Sequence, residues 1–442
     1  MFKLSIVIAL LCATLPMQLS ATENSNSKVD PTLPARLPLN ELRVFAEAFD
    51  RVSSAYVEEI DDRTLLENAI KGMLSQLDPH SAYLDRSSFS DLQETTTGHY
   101  GGLGLEVGME DGFIKVISPM DDTPAAKAGI ESGDLIIRLN DKPVKGMSLS
   151  EAIEEMRGEA GSEITLTIVR EGQAIPKDFV LTREVIQVAS VRHHLIEDGY
   201  GYLRIAQFQS KTGSEVEEAI EKLTEEGKLS GLIIDLRNNP GGVLQAAVEV
   251  SDVFVADGLI VYTSGRLSNS DLRFNATTPD ATDGVPIVVL VNAGTASASE
   301  IVAGALQDHG RAVIMGTNTF GKGSVQTILP LNNEKAIKLT TALYYTPNGR
   351  SIQAEGIIPD IWVNRSNVTK IKSSPWQIKE KDLPGHLANG NVSDDDSNEA
   401  SEDQDSAPAS AELAAKDYQL NEALTLLKGL NILARKSKQP QG

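Results

Sequence analysis

Cysteine is nearly absent. The 442-residue chain has one, Cys12, so it forms no internal disulfide and offers no thiolate metal cluster. Positive charge is scarce as well. Lys plus Arg is 40 against 62 for Asp plus Glu, a formal net charge of −22. That balance argues against a nucleic-acid partner, which needs a basic face. It also argues against bulk-charge binding to an anionic membrane. Long apolar runs are missing too. Leu4 to Leu15 is the longest at the N-terminus, short of the roughly 20 residues of a membrane helix, so no stable membrane span is expected. No His-Glu-x-x-His occurs, which removes that metalloprotease signature.

What remains is 41 % hydrophobic and 23 % charged, a composition suited to a globular protein of several domains. Lys3 precedes the apolar run, and Leu19-Ser20-Ala21 offers a small-x-small cleavage site. Residues 1–21 therefore read as a secretory signal peptide. Cleavage after Ala21 leaves a mature chain without cysteine, which suits a bacterial periplasm. Residues 22–38 form an entry segment. A helix capped by Asn40 and running to about Val57, then another over 62–77, form a small helical module within 22–96.

Between Asn389 and Glu412 there are eight acidic residues and no Lys or Arg. Such a segment reads as a disordered linker inside 366–411. Residues 412–442 hold a helix, with Leu413, Leu420, Leu424 and Leu427 at helical spacing. After a linker it can dock on its own body, on a second copy or on a partner, and a second copy or partner is the favoured expectation.

From Tyr100 the pattern turns β-rich. A glycine loop, Gly101-Gly102-Leu103-Gly104, enters a strand. Pro124-Ala-Ala-Lys-Ala-Gly129-Ile and Gly133-Asp-Leu-Ile-Ile-Arg-Leu-Asn140 follow, then the alternating strand 163–170. This order resembles a PDZ domain, here 97–184. Backbone N–H groups of such a loop cradle a terminal carboxylate while the peptide adds as a strand. A phosphate loop is excluded because no Gly-Lys-Ser/Thr follows.

From 185 to 365 strands alternate with helices, which predicts an α/β core with part of its sheet parallel. Three loops carry candidate chemistry. Asn292-Ala-Gly-Thr-Ala-Ser297-Ala-Ser299-Glu300 turns from a buried strand into a helix. A serine there meets unpaired N–H groups and the positive helix end. The same residues also read as a capping box. Phe320-Gly-Lys322-Gly-Ser-Val-Gln326 sets a lysine between glycines. That lysine is either a solvated side chain or, if neutral, a base. Asp235-Leu-Arg-Asn-Asn-Pro-Gly241-Gly242 ends a strand as a turn or as an oxyanion loop.

Together these loops resemble the carboxyl-terminal processing proteases, serine endopeptidases with an inserted PDZ domain. The resemblance spans roughly 40–365. It implies a mixed α/β protease core, an inserted β-rich PDZ domain and a small N-terminal helical module. It implies Ser297 as nucleophile, Lys322 as general base and Gln326 as the group orienting it, with Ser299 as the rival serine. Ala298 and either Gly241 or Gly242 would supply oxyanion N–H groups, and Gly101 to Gly104 the carboxylate loop. It calls for no metal and no cofactor. The implied partners are protein or peptide substrates with apolar C-termini, a second copy in a homo-oligomer and an adaptor lipoprotein. Gating by PDZ movement or by the adaptor is implied as well. A histidine triad drawn from His80, His99, His193, His194, His309 and His386 has no recognisable arrangement. A non-enzymatic PDZ scaffold is the remaining alternative.

Overall fold

The computed structural model describes residues 38–437, apart from 121, 174, 226, 333, 369–379, 381, 382 and 388–408. The expected signal peptide, Cys12 and almost all of the acidic linker lie outside the described residues. The chain divides into one unit ending at Ala69 and another beginning at Ile70.

The first unit holds α1 (Leu39–Ala55) and the start of α2 (Asp62–Ser75). Asn40 is not the cap of α1. The helix begins at Leu39, Pro38 takes the N-cap position, and no side chain bonds there. Asp61 does cap α2, accepting from the Thr64 N–H at 3.0 Å. Leu42, Phe45 and Val52 on α1 are exposed.

The second unit opens with β1 (Ala82–Leu84), α3 (Arg86–Thr97) and β2 (His99–Gly102). Helix α3 has little signature in the sequence, because Ser87 to Thr97 carries only Phe89 and Leu92 as large apolar residues. Its start is fixed instead by Asp85, which accepts from the Ser88 N–H. The expected β-rich domain follows: β3 (Leu105–Glu110), β4 (Phe113–Pro119), α4 (Pro124–Lys127), β5 (Leu135–Leu139), β6 (Lys142–Pro143), α5 (Leu149–Met156), β7 (Glu163–Val169) and β8 (Lys177–Thr182). Its strands run in the order β3-β4-β5-β7-β8, with β6 on β5. Ile164, Leu166 and Ile168 of β7 point inward and are buried, so the alternation read from the sequence does fill a core. β9 (Glu184–Gln187) returns to pair with β2.

The core comprises β10 (Val191–Glu197), β11 (Tyr200–Ile205), α6 (Thr212–Glu225), β12 (Gly231–Asp235), α7 (Leu244–Phe254), β13 (Leu259–Gly265), β14 (Arg273–Asn275), β15 (Ile287–Val291), α8 (Ala298–Asp308), β16 (Ala312–Gly316), β17 (Ser324–Asn332), β18 (Lys335–Tyr345) and β19 (Ile361–Trp362). One sheet has the order β10-β11-β12-β15-β16-β19 and is parallel from β11 to β19. A second, antiparallel sheet joins β1, β18, β13 and β14, with β17 on β18. β12 and β15 are buried along their whole length, as expected of parallel strands covered on both faces. Leu232, Ile234, Val289 and Val291 pack with residues of α6, α7 and α8. The alternate residues Ile233, Val288 and Leu290 meet a different cover.

That cover corrects one expectation. α9 (Ala409–Lys416) and α10 (Tyr418–Ser437) fold back on the chain's own sheet rather than waiting for a second copy or partner. Ala423, Leu424 and Leu427 are buried against Ile233, Val288, Leu290 and Met315. Leu424 and Leu427 each contribute roughly 2 kcal/mol by that burial. The open second face of a parallel sheet is what the helix was missing in the sequence view.

Candidate active site

The three loops selected from the sequence leave the carboxyl ends of β12 and β15 and follow β16, where open α/β sheets place their sites. They are stitched to one another. Asn239, fully buried, accepts the Ala296 N–H at 2.9 Å through its carbonyl and the Ser299 hydroxyl at 3.0 Å. Thr295 Oγ1 donates to the Leu236 carbonyl at 2.8 Å. Asn238 and Asn292 exchange two hydrogen bonds of 2.9 Å. Phe320 N–H donates to the Thr295 carbonyl at 2.9 Å.

Ser297 stands immediately before α8 with φ 57° and ψ −117°. A non-glycine residue there is strained, and the surroundings must hold it. Glu300 does so. Its carboxylate is fully buried, and Oε2 accepts the Ser297 N–H at 2.7 Å. The same Oε2 accepts the Lys322 N–H at 2.9 Å, while Oε1 accepts the Gly321 N–H at 2.7 Å and the Thr319 hydroxyl at 2.5 Å. Residues 297 and 322 thus meet on a single oxygen atom. In the sequence Glu300 is only the third position of a capping box. Its position within Ser297-Ala-Ser-Glu300 was visible, but not its reach to the other loop.

Ser299 is fully buried with its hydroxyl spent on Asn239. Gly241 lies against the turn: a Cβ there would fall 2.7 Å from the Ala296 carbonyl oxygen and 2.8 Å from the Ser297 Cβ. Its φ of 96° also favours glycine. The Gly241 N–H is taken by Asn239 Oδ1 at 2.9 Å, and its carbonyl accepts from Phe208 N–H. The Gly242 N–H, trans to that carbonyl, points away from Phe208.

Lys322 is partly buried, and burial is the first cause holding its ammonium below the ordinary lysine range. The like charge of Lys338 acts in the same direction, and Glu300 and Asp78 oppose it. Tyr344, fully buried by its fold position on β18, donates its hydroxyl to the Lys322 carbonyl. Burial, then Glu300, raises the Tyr344 pKa well above its usual value, so it stays a donor. Gln326 gives its Nε2 to Ser324 Oγ at 2.9 Å and to Thr340 Oγ1 at 3.4 Å rather than to the lysine amine.

One wall was missed by sequence reasoning. The turn Asp78–Ser81, far away in the chain, joins β18: Thr340 Oγ1 donates to Asp78 Oδ1 at 3.1 Å, and Ser81 Oγ accepts the Thr340 N–H. Burial opposes ionisation of Asp78, but bonds from Ser81, His80 N–H and Thr340 hold its pKa at about 2. His80 lies near enough to Lys322 that, after burial, that charge lowers its pKa further. The sequence showed Asp78-Pro79 merely as a helix stop. The other histidines lie elsewhere. His99 is on β2, His193 and His194 are on β10, and His386 is exposed. His309 caps the C-terminus of α8, with Nε2 2.7 Å from the Leu259 carbonyl oxygen.

In the β-rich domain a cavity of about 300 Å³ opens between β3 and α5, lined by Leu103, Leu105, Val107, Ile153 and Met156 among others. Gly102, Leu103 and Gly104 border it. Gly101 does not; it pairs with Val185, and a Cβ there would lie 2.0 Å from the Gly158 carbonyl oxygen. Among the described residues no helix is long and apolar enough to cross a membrane.

Residues 199–363 match peptidase family S41, 115–170 match a PDZ domain, and 13–88 match the N-terminal domain of the activating protease CtpB. A carboxy-terminal-processing protease of Bartonella bacilliformis is 49 % identical over 392 residues, covering 88 % of each chain. A carboxyl-terminal-processing protease of Synechocystis sp. is 40 % identical over 299 residues, 66 % of this chain and 69 % of that one. The solved photosystem II D1 C-terminal processing protease is 32 % identical, over 73 % of this chain and 93 % of that chain, with a TM-score of 0.43. With identity of that extent to a full-length relative, the chain belongs to the carboxyl-terminal processing proteases of peptidase family S41 and is a serine-type peptidase acting on peptide or protein substrates.

Proposed function

We propose that this peptidase works through a Ser297–Lys322 dyad on exported proteins whose C-termini the PDZ domain captures. One observation carries the reading: the backbone N–H groups of Ser297 and Lys322 share the same Glu300 oxygen. Neutral Lys322 takes the Ser297 proton as Oγ attacks the scissile carbonyl. The N–H groups of Ala298 and Gly242 hold the oxyanion, because that of Gly241 is already bonded. The lysinium then protonates the leaving amine, and water releases the acyl group. Gln326 supports the lysine's wall by bonding Ser324 and Thr340, the latter in turn bonded to Asp78. Ser299 is a structural serine of the turn.

The base must be neutral, so kcat/KM rises with pH through the pKa of free-enzyme Lys322. The charged and titratable groups facing it are Lys338 on β18, Glu300 on α8, and Asp78 and His80 on the turn. Lys338→Met removes the opposing like charge, so Lys322 keeps its proton to higher pH. The acid limb of the profile is expected to move up in pH and to return in Lys338→Arg. An unmoved limb sinks this account of the lysine.

Substrate capture is assigned to the cavity bordered by Gly102, Leu103 and Gly104. Its apolar lining fits an apolar last residue. An unfolded protein ending in leucine is expected to be cleaved with a kcat/KM roughly 10-fold or more above the same protein ending in aspartate. Equal cleavage would overturn PDZ recognition and leave the peptidase assignment standing. The signal-peptide reading of 1–21 assigns the enzyme to the periplasm, and release by osmotic shock is the check. The exposed Leu42, Phe45 and Val52 of α1 support a homo-oligomer or an adaptor-bound state, which sizing of the full chain reports.

A further inference from the structure

A second cavity, of about 320 Å³, opens on the side of the parallel sheet covered by α9 and α10, at the carboxyl ends of β11, β12 and β15. Its lining contains four cationic side chains, Arg204, Arg237, Arg365 and Lys416, against two carboxylates, Asp235 and Asp417. Both carboxylates are already engaged. Arg237 Nη2 lies 2.7 Å from Asp235 Oδ2 and 2.6 Å from Asp417 Oδ2, and Arg237 Nε bonds Asp235 Oδ1 at 3.0 Å. Asp235 also accepts from Tyr202 at 2.8 Å and from Arg204 at 3.4 Å. Among the described residues neither Arg365 nor Lys416 has a carboxylate within ion-pair distance, although the charge of Arg365 also acts on Asp417. The other lining residues are uncharged, among them Asn238 and Asn292. A polar concavity whose described lining carries a surplus of two positive charges favours an anion.

We propose that this cavity is a binding site for a small polyvalent oxyanion, phosphate or polycarboxylate, held by Arg365 and Lys416. Arg204 supplies further positive potential, and Arg237 remains occupied by its two aspartates. Nothing in the catalytic proposal uses this cavity. It is nevertheless coupled to the catalytic loops. Asn238 and Asn292 line it and also join the oxyanion loop to the nucleophile turn through their two mutual hydrogen bonds. An anion bound there is felt by both loops at once.

The test uses the full chain carrying Ser297→Ala, so that binding is read without turnover. Inorganic phosphate and, separately, citrate are titrated at constant ionic strength against chloride, with calorimetry and thermal melting as readouts. Saturable binding is expected for at least one of them, with a rise of about 2 °C or more in melting temperature at ten times its Kd. The two titrations distinguish a phosphate from a carboxylate ligand. Arg365→Ala with Lys416→Ala is expected to weaken binding at least 10-fold while the ligand-free melting temperature stays put, since both side chains are exposed. Equal response of that variant marks a general salt effect and overturns the site. So does the absence of saturable binding of either anion to the parent chain. The peptidase assignment is untouched by either failure.

Discussion

Ser297→Ala is expected to lower turnover of an unfolded protein by roughly 10⁴- to 10⁶-fold while the melting temperature stays near that of the wild type. Lys322→Met is expected to be equally inactive. In the proposed mechanism the serine cannot attack without a proton acceptor, and the lysine has no task without the serine. The double variant should therefore be no worse than either single one, because members of one catalytic unit do not add. The choice of methionine matters. Lys322 sits in a partly buried site, and methionine keeps the stem while deleting the amine. An active Ser297→Ala enzyme would shift attention to another hydroxyl. Ser299 is a poor substitute, because its Oγ is buried and donates to Asn239. Activity in Lys322→Met with loss in Ser297→Ala would mean that some other base serves the same serine. His80, near the lysine, is the group to examine next.

Glu300→Ala is the second large effect, and it differs in kind. The residue touches no substrate. Its removal strands three N–H groups and the Thr319 hydroxyl in a buried space. Each stranded donor costs roughly 1–3 kcal/mol. The loss also frees the strained backbone of Ser297 to relax away from φ 57°. Turnover is expected to fall by about 10³-fold or more, with a drop in melting temperature that Ser297→Ala does not show. Glu300→Gln separates positioning from charge. One amide oxygen still accepts, but the NH₂ end meets donors, so partial recovery of kcat with little change in KM is the expected result. Full activity in Glu300→Ala would show that the two loops hold their places without their shared anchor.

Much of this arrangement was legible in the sequence, and the reasons are local. The alternation of Ile164, Leu166 and Ile168 marks one buried face of a strand wherever it sits. The wholly apolar run 287–291 marks a strand covered on both sides. The loops at Asp235, Asn292 and Gly321 lie beside such strands, so the topology alone brings them to one end of the sheet. What stayed hidden depends on distance along the chain. Nothing near Asp78 announces that it will bond Thr340. Glu300 looks like a cap because its capping bond to the Ser297 N–H is real, and its bonds to residues 319–322 come only with folding. The same holds for α10, whose leucines announced a need for apolar cover without naming the surface. Helix α3 was invisible for the opposite reason, since its polar face carries no periodic signal.

The C-terminal cover also has a consequence for the order of events in the life of the chain. A polypeptide leaves the ribosome, or crosses a membrane, from its N-terminus onward. Ile233, Val288 and Leu290 emerge well before Ala423, Leu424 and Leu427, which shield them. Until α10 arrives, one face of the central sheet stays wet. Arg237, at the start of the 235–242 loop, meanwhile lacks Asp417 and Gln419. The loop that begins at Asp235 is therefore fully tied down only once α10 has docked.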